Sequence, residues 1–363
     1  RVYELNPKRL ANYKRWPSTY MIQNNIPSRE IWIDLAKFIS IFLVVLFHTN
    51  PHLDGYIFDF LQVLRMPAFF LIAGLLFNIN KWERFSDFFI HRFKRLLIPY
   101  FWFYLVFYLL WLFVGRDMVG ETELAISPLV PIKEFILGKP SVVLGPYWFI
   151  TCLFSMQLLF YVFKRYIKSS ILIIILSILG YLALMALDIK DLPWCIDKAL
   201  LYMPFYAYAN ILRSHTQTAL PPTKIRIIMY LMSSITIAIL LLKDRFIDSA
   251  YMHHILYIIA GFCIMPIYID ACRYIASKVA TSKMPRLIRY IGDNNIITLA
   301  LQNYIIGFIK IAGVTTLGIN LLTTDHYTIN ILIALATISI SMGVSFLINR
   351  YAPFIIGKSI LRT

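Results

Sequence analysis

Glu30-Ile31-Trp32-Ile33-Asp34-Leu35-Ala36-Lys37-Phe38-Ile39-Ser40-Ile41-Phe42-Leu43-Val44-Val45-Leu46-Phe47-His48-Thr49-Asn50 is apolar enough to enter a bilayer, yet it carries an acid, an amine and an imidazole. Lys37 and His48 are eleven residues apart. At helical pitch, eleven steps turn through about 1100°, only about 20° past three full circles, and rise about 16 Å. Both side chains therefore lie on one helix face. Asp34 precedes Lys37 by three residues on nearly the same stripe, so the two can pair. Ionisable groups in lipid are costly, and a stripe of them is by default a functional hypothesis.

The rest of the chain has the same character. Its 363 residues are 59% hydrophobic, with mean hydropathy +0.69. A soluble globular protein does not need that much apolar sequence. The fold class read from it is all-α and polytopic, with the bilayer replacing much of the usual core. The chain opens on Arg1 rather than Met, as expected for numbering that begins inside a longer gene product. Residues 1–30 are basic and aromatic, with Pro17 and Pro27 but no apolar run, so they read as a cytoplasmic arm rather than a signal peptide. The four cysteines form no disulfide framework.

Apolar runs long enough to cross about 30 Å of hydrocarbon fall at 31–49, 57–78, 96–114, 147–163, 170–187, 199–212, 225–242, 252–271, 290–309 and 328–349. The sixth is short and holds Pro204 and Asn210, which leaves a nine-span reading with a re-entrant sixth segment as the alternative. Loop charge favours ten. The arm, alternate loops and tail hold 25 Lys and Arg, the opposite loops hold 8, and only Lys37 and Arg65 lie inside spans. The positive-inside rule then puts both termini in the cytoplasm, Lys37 toward the cytoplasmic end of the first helix and His48 toward its outer end. The net charge of +16 is mostly this topology signal, not a nucleic-acid footprint. The expected layout is the arm at 1–30, one transmembrane domain at 31–350 with a long outer loop at 115–146, and a cytoplasmic tail at 351–363. Four prolines and the length of that loop suit a lid or short helices.

Each polar group in or near the spans has a bland reading and a sharper one. A His at a membrane boundary is commonly an interfacial residue; the face shared with Lys37 and Asp34 favours a general base or acyl acceptor at His48. Arg65 lies about 12 Å inside the second span, too deep to snorkel. It either pairs structurally with Asp59 or Asp34, or contacts an anion or thioester oxygen. The run His91-Arg92-Phe93-Lys94-Arg95-Leu96-Leu97-Ile98-Pro99-Tyr100 is either headgroup anchoring or a clamp for a phosphorylated cytoplasmic donor. Trp148, in Gly145-Pro146-Tyr147-Trp148-Phe149, is a belt anchor or a platform for a sugar face. His253-His254 is too loose a pair for a metal site, and no zinc-protease, paired-cysteine, nucleophile-elbow or phosphate-loop motif occurs.

With these residues assembled, the chain resembles the acyltransferase-3 family, integral-membrane enzymes that acylate surface sugars. The resemblance rests on several segments in order. They are Lys37, ten residues, then His48; Met66-Pro67-Ala68-Phe69-Phe70 through Gly74; Arg92-Phe93-Lys94-Arg95-Leu96-Leu97-Ile98-Pro99; Trp148-Phe149; and Ile291-Gly292-Asp293-Asn294-Asn295. The chain departs from the family pattern in having Lys37 for the commoner Arg, Ala73 for a frequent Ser, Asn295 for Ser or Thr, and Gln302 where many members have His.

The resemblance implies acetyl-CoA or another acyl-CoA as donor, a hydroxyl of an extracytoplasmic glycan as acceptor, His48 as the catalytic residue, and a cell-membrane location. It implies no metal and no nucleic acid. On that reading Arg92, Lys94 and Arg95 hold the donor phosphates. Lys37, oriented by Asp34, and Arg65 position the donor arm or its thioester oxygen, and Trp148 meets the acceptor. His48 either deprotonates the acceptor or takes the acyl group first. The rival classes are a transporter using Asp34, Lys37 and Arg65 as a relay, and a structural subunit of a polysaccharide-assembly complex. The transporter predicts paired broken helices in two halves, and no such symmetry is visible.

Overall fold

The computed structural model describes residues 31–50, 56–115, 126–141, 143, 145–215, 223–241, 250–279, 284–317 and 326–358. The arm at 1–30, His52, several loop tips and the side chain of Asp59 lie outside the described residues.

The helices are α1 (Ile31–Thr49), α2 (Tyr56–Leu75), α3 (Phe85–Arg92), α4 (Ile98–Leu110), α5 (Leu129–Leu137), α6 (Trp148–Tyr166), α7 (Ser170–Ala186), α8 (Ile196–His215), α9 (Thr223–Leu241), α10 (Ala250–Val279), α11 (Met284–Asp293), α12 (Asn295–Leu317) and α13 (Tyr327–Tyr351). No strand occurs among the described residues. This is the expected solution for an apolar chain in lipid, where every backbone polar group must find its partner within its own segment. Each of the ten apolar runs overlaps a helix, but the run at 57–78 outlasts its helix, which ends at Leu75, and the run at 290–309 is divided between two helices at Asn294. Among the described residues, six segments, Ile31–Thr49, Phe85–Gly115, Gly145–Tyr166, Met252–Val279, Asn295–Thr316 and Tyr327–Tyr351, are both long and apolar enough to cross a membrane. Val63–Leu75 and Ser170–Ala186 are shorter apolar helices. The protein is a multi-pass, all-α membrane protein.

Helix α1 is the hub. It packs against α2, α10, α11, α12 and α13. Ser40 donates to the Tyr268 hydroxyl at 3.0 Å, and Tyr268 donates to the Ala36 carbonyl at 2.6 Å, tying α1 to α10. Surrounded on so many sides, α1 can keep Asp34 1% exposed inside protein rather than against lipid.

Helices α2 and α8 approach closely because Gly74 has no side chain. A Cβ there would collide with the Tyr206 carbonyl and come within 2.9 Å of Ala209 Cβ. The approach stacks Phe70 on Tyr202 at 4.6 Å and 17°. Gly74→Ala is expected to destabilise the protein by about 2 kcal/mol through overpacking, read as a lower thermal midpoint in detergent. An unchanged midpoint would show that the two helices slide apart without cost.

Between α3 and α4 lies a π turn, Phe93–Leu97, in which the Ile98 N–H reaches the Phe93 carbonyl. Pro99 explains it. Proline has no N–H for the carbonyl four residues back and its ring presses on that carbonyl, so the turn widens. The widening also changes the angle between Arg92 and Arg95. The long connection at 115–146 contains α5, held along α4 by a ladder of tyrosines. Tyr100 donates to the Phe135 carbonyl at 3.1 Å, Tyr104 to Pro131 at 2.7 Å, and Tyr108 to Pro128 at 3.1 Å. Their i, i+4, i+8 spacing puts all three on one face. After α13, a 3₁₀ turn at Pro353–Ile356 docks on the π turn. Gly357, at φ 65°, lies so close to Lys94 that a Cβ would strike the Lys94 carbonyl.

Candidate active site

The Asp34–Lys37–His48 stripe of α1 has a different setting at each end. At the Lys37 end, the Lys37 amine is 3.5 Å from Asp34 and 4.0 Å from Asp293. The other Asp34 oxygen accepts from Arg289 Nε at 3.4 Å. Asp34 thus bridges two cations from helices far apart in sequence. Gly292 makes room for the lysine: a Cβ there would be 3.3 Å from Lys37 Cβ and Cδ. Asn295 donates to the Lys37 carbonyl at 3.5 Å, registering the start of α12 against α1.

The basic run is adjacent. Lys94 and Arg95 are exposed, whereas Arg92 is half-buried with its guanidinium 5.0 Å above the Phe88 ring. Arg92 and Arg95 remain electrostatic neighbours, but the π turn separates their environments. Lys358, beyond α13, joins them. Its amine donates to Asn349 Oδ1, Asn349 donates to Asn294 Oδ1 at 2.8 Å, and its charged neighbours are Arg95 and Asp293. Burial and the repulsion of Arg95 lower the Lys358 pKa, against a smaller opposing effect of Asp293. Lys37, Asp293, Lys358 and Arg95 form one continuous charged cluster.

The His48 end is aromatic. The Phe47 and His48 rings meet edge-on at 5.2 Å, and the Arg65 guanidinium lies 3.6 Å over the Phe47 ring. A cation over a π face gains electrostatically, and the more so where it is desolvated. Arg65 is the charged neighbour of His48, and is itself flanked by Tyr202 and Tyr257. Tyr202 stacks toward Trp148 at 6.5 Å, and Lys198 lies 5.8 Å over the Trp148 ring. His48, Arg65 and Trp148 are thus gathered at one end, linked through Tyr202. Asp34, at the opposite end and already engaged by Lys37 and Arg289, is not the partner of Arg65.

An end rich in cations, an end with an imidazole beside a guanidinium, and one helix face joining them suit transfer of a group from an anionic carrier to a second substrate. The model of the acyltransferase-3 family, described as an acyltransferase domain, matches residues 30–350. The chain belongs to that family. No curated protein and no solved structure matches it. The match covers every element of this acyltransferase from α1 nearly to the end of α13.

Several residues that line this face of α1 were not evident from sequence. Arg289 and Asp293 stand in an ordinary basic loop and helix end. Lys358 reads as a tail charge, and Tyr202 and Tyr257 as membrane tyrosines. The Gly292-Asp293-Asn294 run was the one local signal. Among the described residues, no group of His, Cys, Asp or Glu could hold a metal ion. His254 Nδ1 instead pairs with the Tyr181 hydroxyl at 3.1 Å.

Proposed function

We propose that the chain moves an acetyl or other short acyl group from cytoplasmic acyl-CoA to a hydroxyl of an extracytoplasmic glycan. On this reading ten helices cross the cell membrane and both termini are cytoplasmic, so the Lys37 end faces the cytoplasm. The observation that carries the proposal is the single face of α1, with a cation cluster at one end and His48 beside Arg65 at the other. CoA cannot cross lipid, and the rise of about 16 Å between Lys37 and His48 is comparable to an extended pantetheine arm. The arm would reach from the cations to the imidazole.

Lys94, Arg95 and Lys358, with Arg92 behind them, offer charge-assisted donors to the donor phosphates. Arg65 polarises the thioester oxygen, and Trp148 offers a face to the sugar. In the direct route His48 accepts the acceptor's hydroxyl proton as the oxygen bonds to the acyl carbon. The C–S bond then breaks, and the proton passes to the leaving CoA thiolate. In the relay route an imidazole nitrogen bonds to the acyl carbon, the C–S bond breaks and the CoA thiolate leaves with the imidazole proton; the acceptor oxygen then bonds to the acyl carbon, the C–N bond breaks and the hydroxyl proton returns to the imidazole. Trapping labelled acyl group on protein without acceptor distinguishes the routes. The founding experiment is transfer of labelled acetyl from acetyl-CoA by the purified chain in nanodiscs. Absence of CoA binding at millimolar concentration would overturn the proposal.

The charged end carries its own prediction. The Arg95→Ala, Lys358→Ala double variant is expected to raise KM for acyl-CoA about thirtyfold with kcat nearly unchanged, since each of the two phosphate contacts is worth about 1 kcal/mol. Because the Lys358 pKa is lowered, its positive charge is lost at a pH below that of an ordinary lysine. The wild-type KM should therefore climb with rising pH in that range, and Lys358→Ala should remove the climb. A pH-independent wild-type KM would exclude Lys358 from the phosphate site.

A further inference from the structure

Gln302 is fully buried in α12, and neither its Oε1 nor its Nε2 has a hydrogen-bond partner. Ser341 is fully buried in α13, and its Oγ has none either. The neighbouring polar residues of α13 behave differently. Thr337 donates to the Ile333 carbonyl at 2.8 Å and Ser345 to Ser341 at 2.7 Å. A buried amide with both ends unmade is expensive in a membrane protein, where water is scarce. Two such residues on adjoining helices call for an explanation.

Their depth can be read from the helices. α1, α12 and α13 pack on one another. Asn295 reaches the Lys37 carbonyl, and Asn349 bonds Asn294, so both helices are registered to Lys37 at that end. Gln302 is seven residues along from Asn295, about 10 Å. Ser341 is eight residues from Asn349, about 12 Å in the same direction, since α12 and α13 run oppositely. His48 is about 16 Å from Lys37. Gln302 and Ser341 therefore share one level, between the cations and the imidazole.

We propose that Gln302 and Ser341 bind an amide in the middle of the donor's pantetheine arm. This rests on the acyl-CoA reading above and adds the residues that recognise the arm. The arm carries two secondary amides between its phosphate and its sulfur, each offering one N–H and one C=O. A carboxamide side chain offers the complementary pair, and a hydroxyl can serve either atom. With phosphates at the Lys37 end and sulfur at His48, the amide nearer the sulfur falls at the level of Gln302 and Ser341. No bond is made or broken by these residues; they hold the arm in register so that the thioester meets His48.

The test compares CoA with 3′-phospho-ADP, which lacks the arm, by calorimetry on the full chain in nanodiscs. Gln302→Leu is expected to weaken CoA binding about tenfold and leave 3′-phospho-ADP unchanged, because only the arm loses its partner. The ligand-free variant should melt no lower than wild type, since an unpartnered buried amide has been replaced by an apolar side chain of similar size. Wild type that fails to bind CoA would sink the acyl-CoA reading itself. Wild type that binds CoA, with Gln302→Leu binding it equally well, would overturn the arm assignment alone. Should Gln302→Leu melt early, Ser341→Ala decides. A severalfold loss for CoA with unchanged 3′-phospho-ADP supports the assignment, and unchanged CoA affinity overturns it.

Discussion

Replacing His48 with alanine is expected to lower kcat/KM for acyl transfer about 10³-fold, with the fold intact. A positioned acid–base group contributes between about 10² and 10⁴ in rate, and a factor of 10³ corresponds to about 4 kcal/mol of transition-state stabilisation. His48 is half-buried at the end of α1, meets the Phe47 ring, and has Arg65 as its charged neighbour. Alanine keeps the helix and the Arg65–Phe47 stack, so the melting temperature should change little. The same substitution serves both chemical routes, since each needs the imidazole nitrogen. A His48→Ala enzyme that acylates at the wild-type rate would end the proposal that this residue carries the chemistry. If the relay route operates, acyl label retained on wild-type protein should vanish in the variant.

The second large effect belongs to Asp34. Its carboxylate is 1% exposed and stands between Lys37 at 3.5 Å and Arg289 at 3.4 Å. Asp34→Asn keeps the shape and removes the charge that balances both. Breaking a buried ion pair from one side costs about 3–5 kcal/mol, because the remaining charge stays desolvated. The lower figure, about 3 kcal/mol, applies here: Asp293 still lies 4.0 Å from Lys37, and the Arg289 side chain is 38% exposed and can turn to water. Thermal or denaturant unfolding in detergent measures it. A loss below about 1 kcal/mol would mean that Asp293 alone neutralises Lys37. Adding Arg289→Gln to the Asp34→Asn variant should cost less than Arg289→Gln does in wild type, the mark of direct coupling. Activity should fall as well, because Lys37 loses the partner that fixes its direction.

The two variants separate what each end of α1 does. On the proposed mechanism, the His48 substitution removes a reacting group and spares stability. The Asp34 substitution lowers stability and disturbs Lys37 through its partner. An activity loss in Asp34→Asn that saturating acyl-CoA restores would place the fault in donor binding rather than in the chemical step.

Much of this was legible in the chain. The α1 face needed only the helical repeat, because the angle between Lys37 and His48 is set by backbone hydrogen bonds and not by neighbours. The basic run at 92–95 and Trp148 were likewise visible as residues. Their surroundings were not. Arg289 meets Asp34 across 255 positions of sequence, and nothing local to either residue encodes that distance. The π turn shifts Arg95 relative to Arg92 in a way the ordinary helical period does not anticipate, although Pro99 is its cause. Gln302 was visible as a departure from the family pattern, but its lack of partners exists only once α12 is packed.

The sequence by itself determined an all-α membrane chain and one polar face on its first helix, because lipid leaves the backbone almost no alternative to the helix and the helix has a fixed period. Only the tertiary structure decided which charges neutralise one another, that Lys358 joins the cation cluster, that Arg65 rests on Phe47 beside His48, and that Gln302 and Ser341 share a level between them. Ion pairing, stacking and burial depend on distances through space, and those follow from how the helices pack rather than from any one segment.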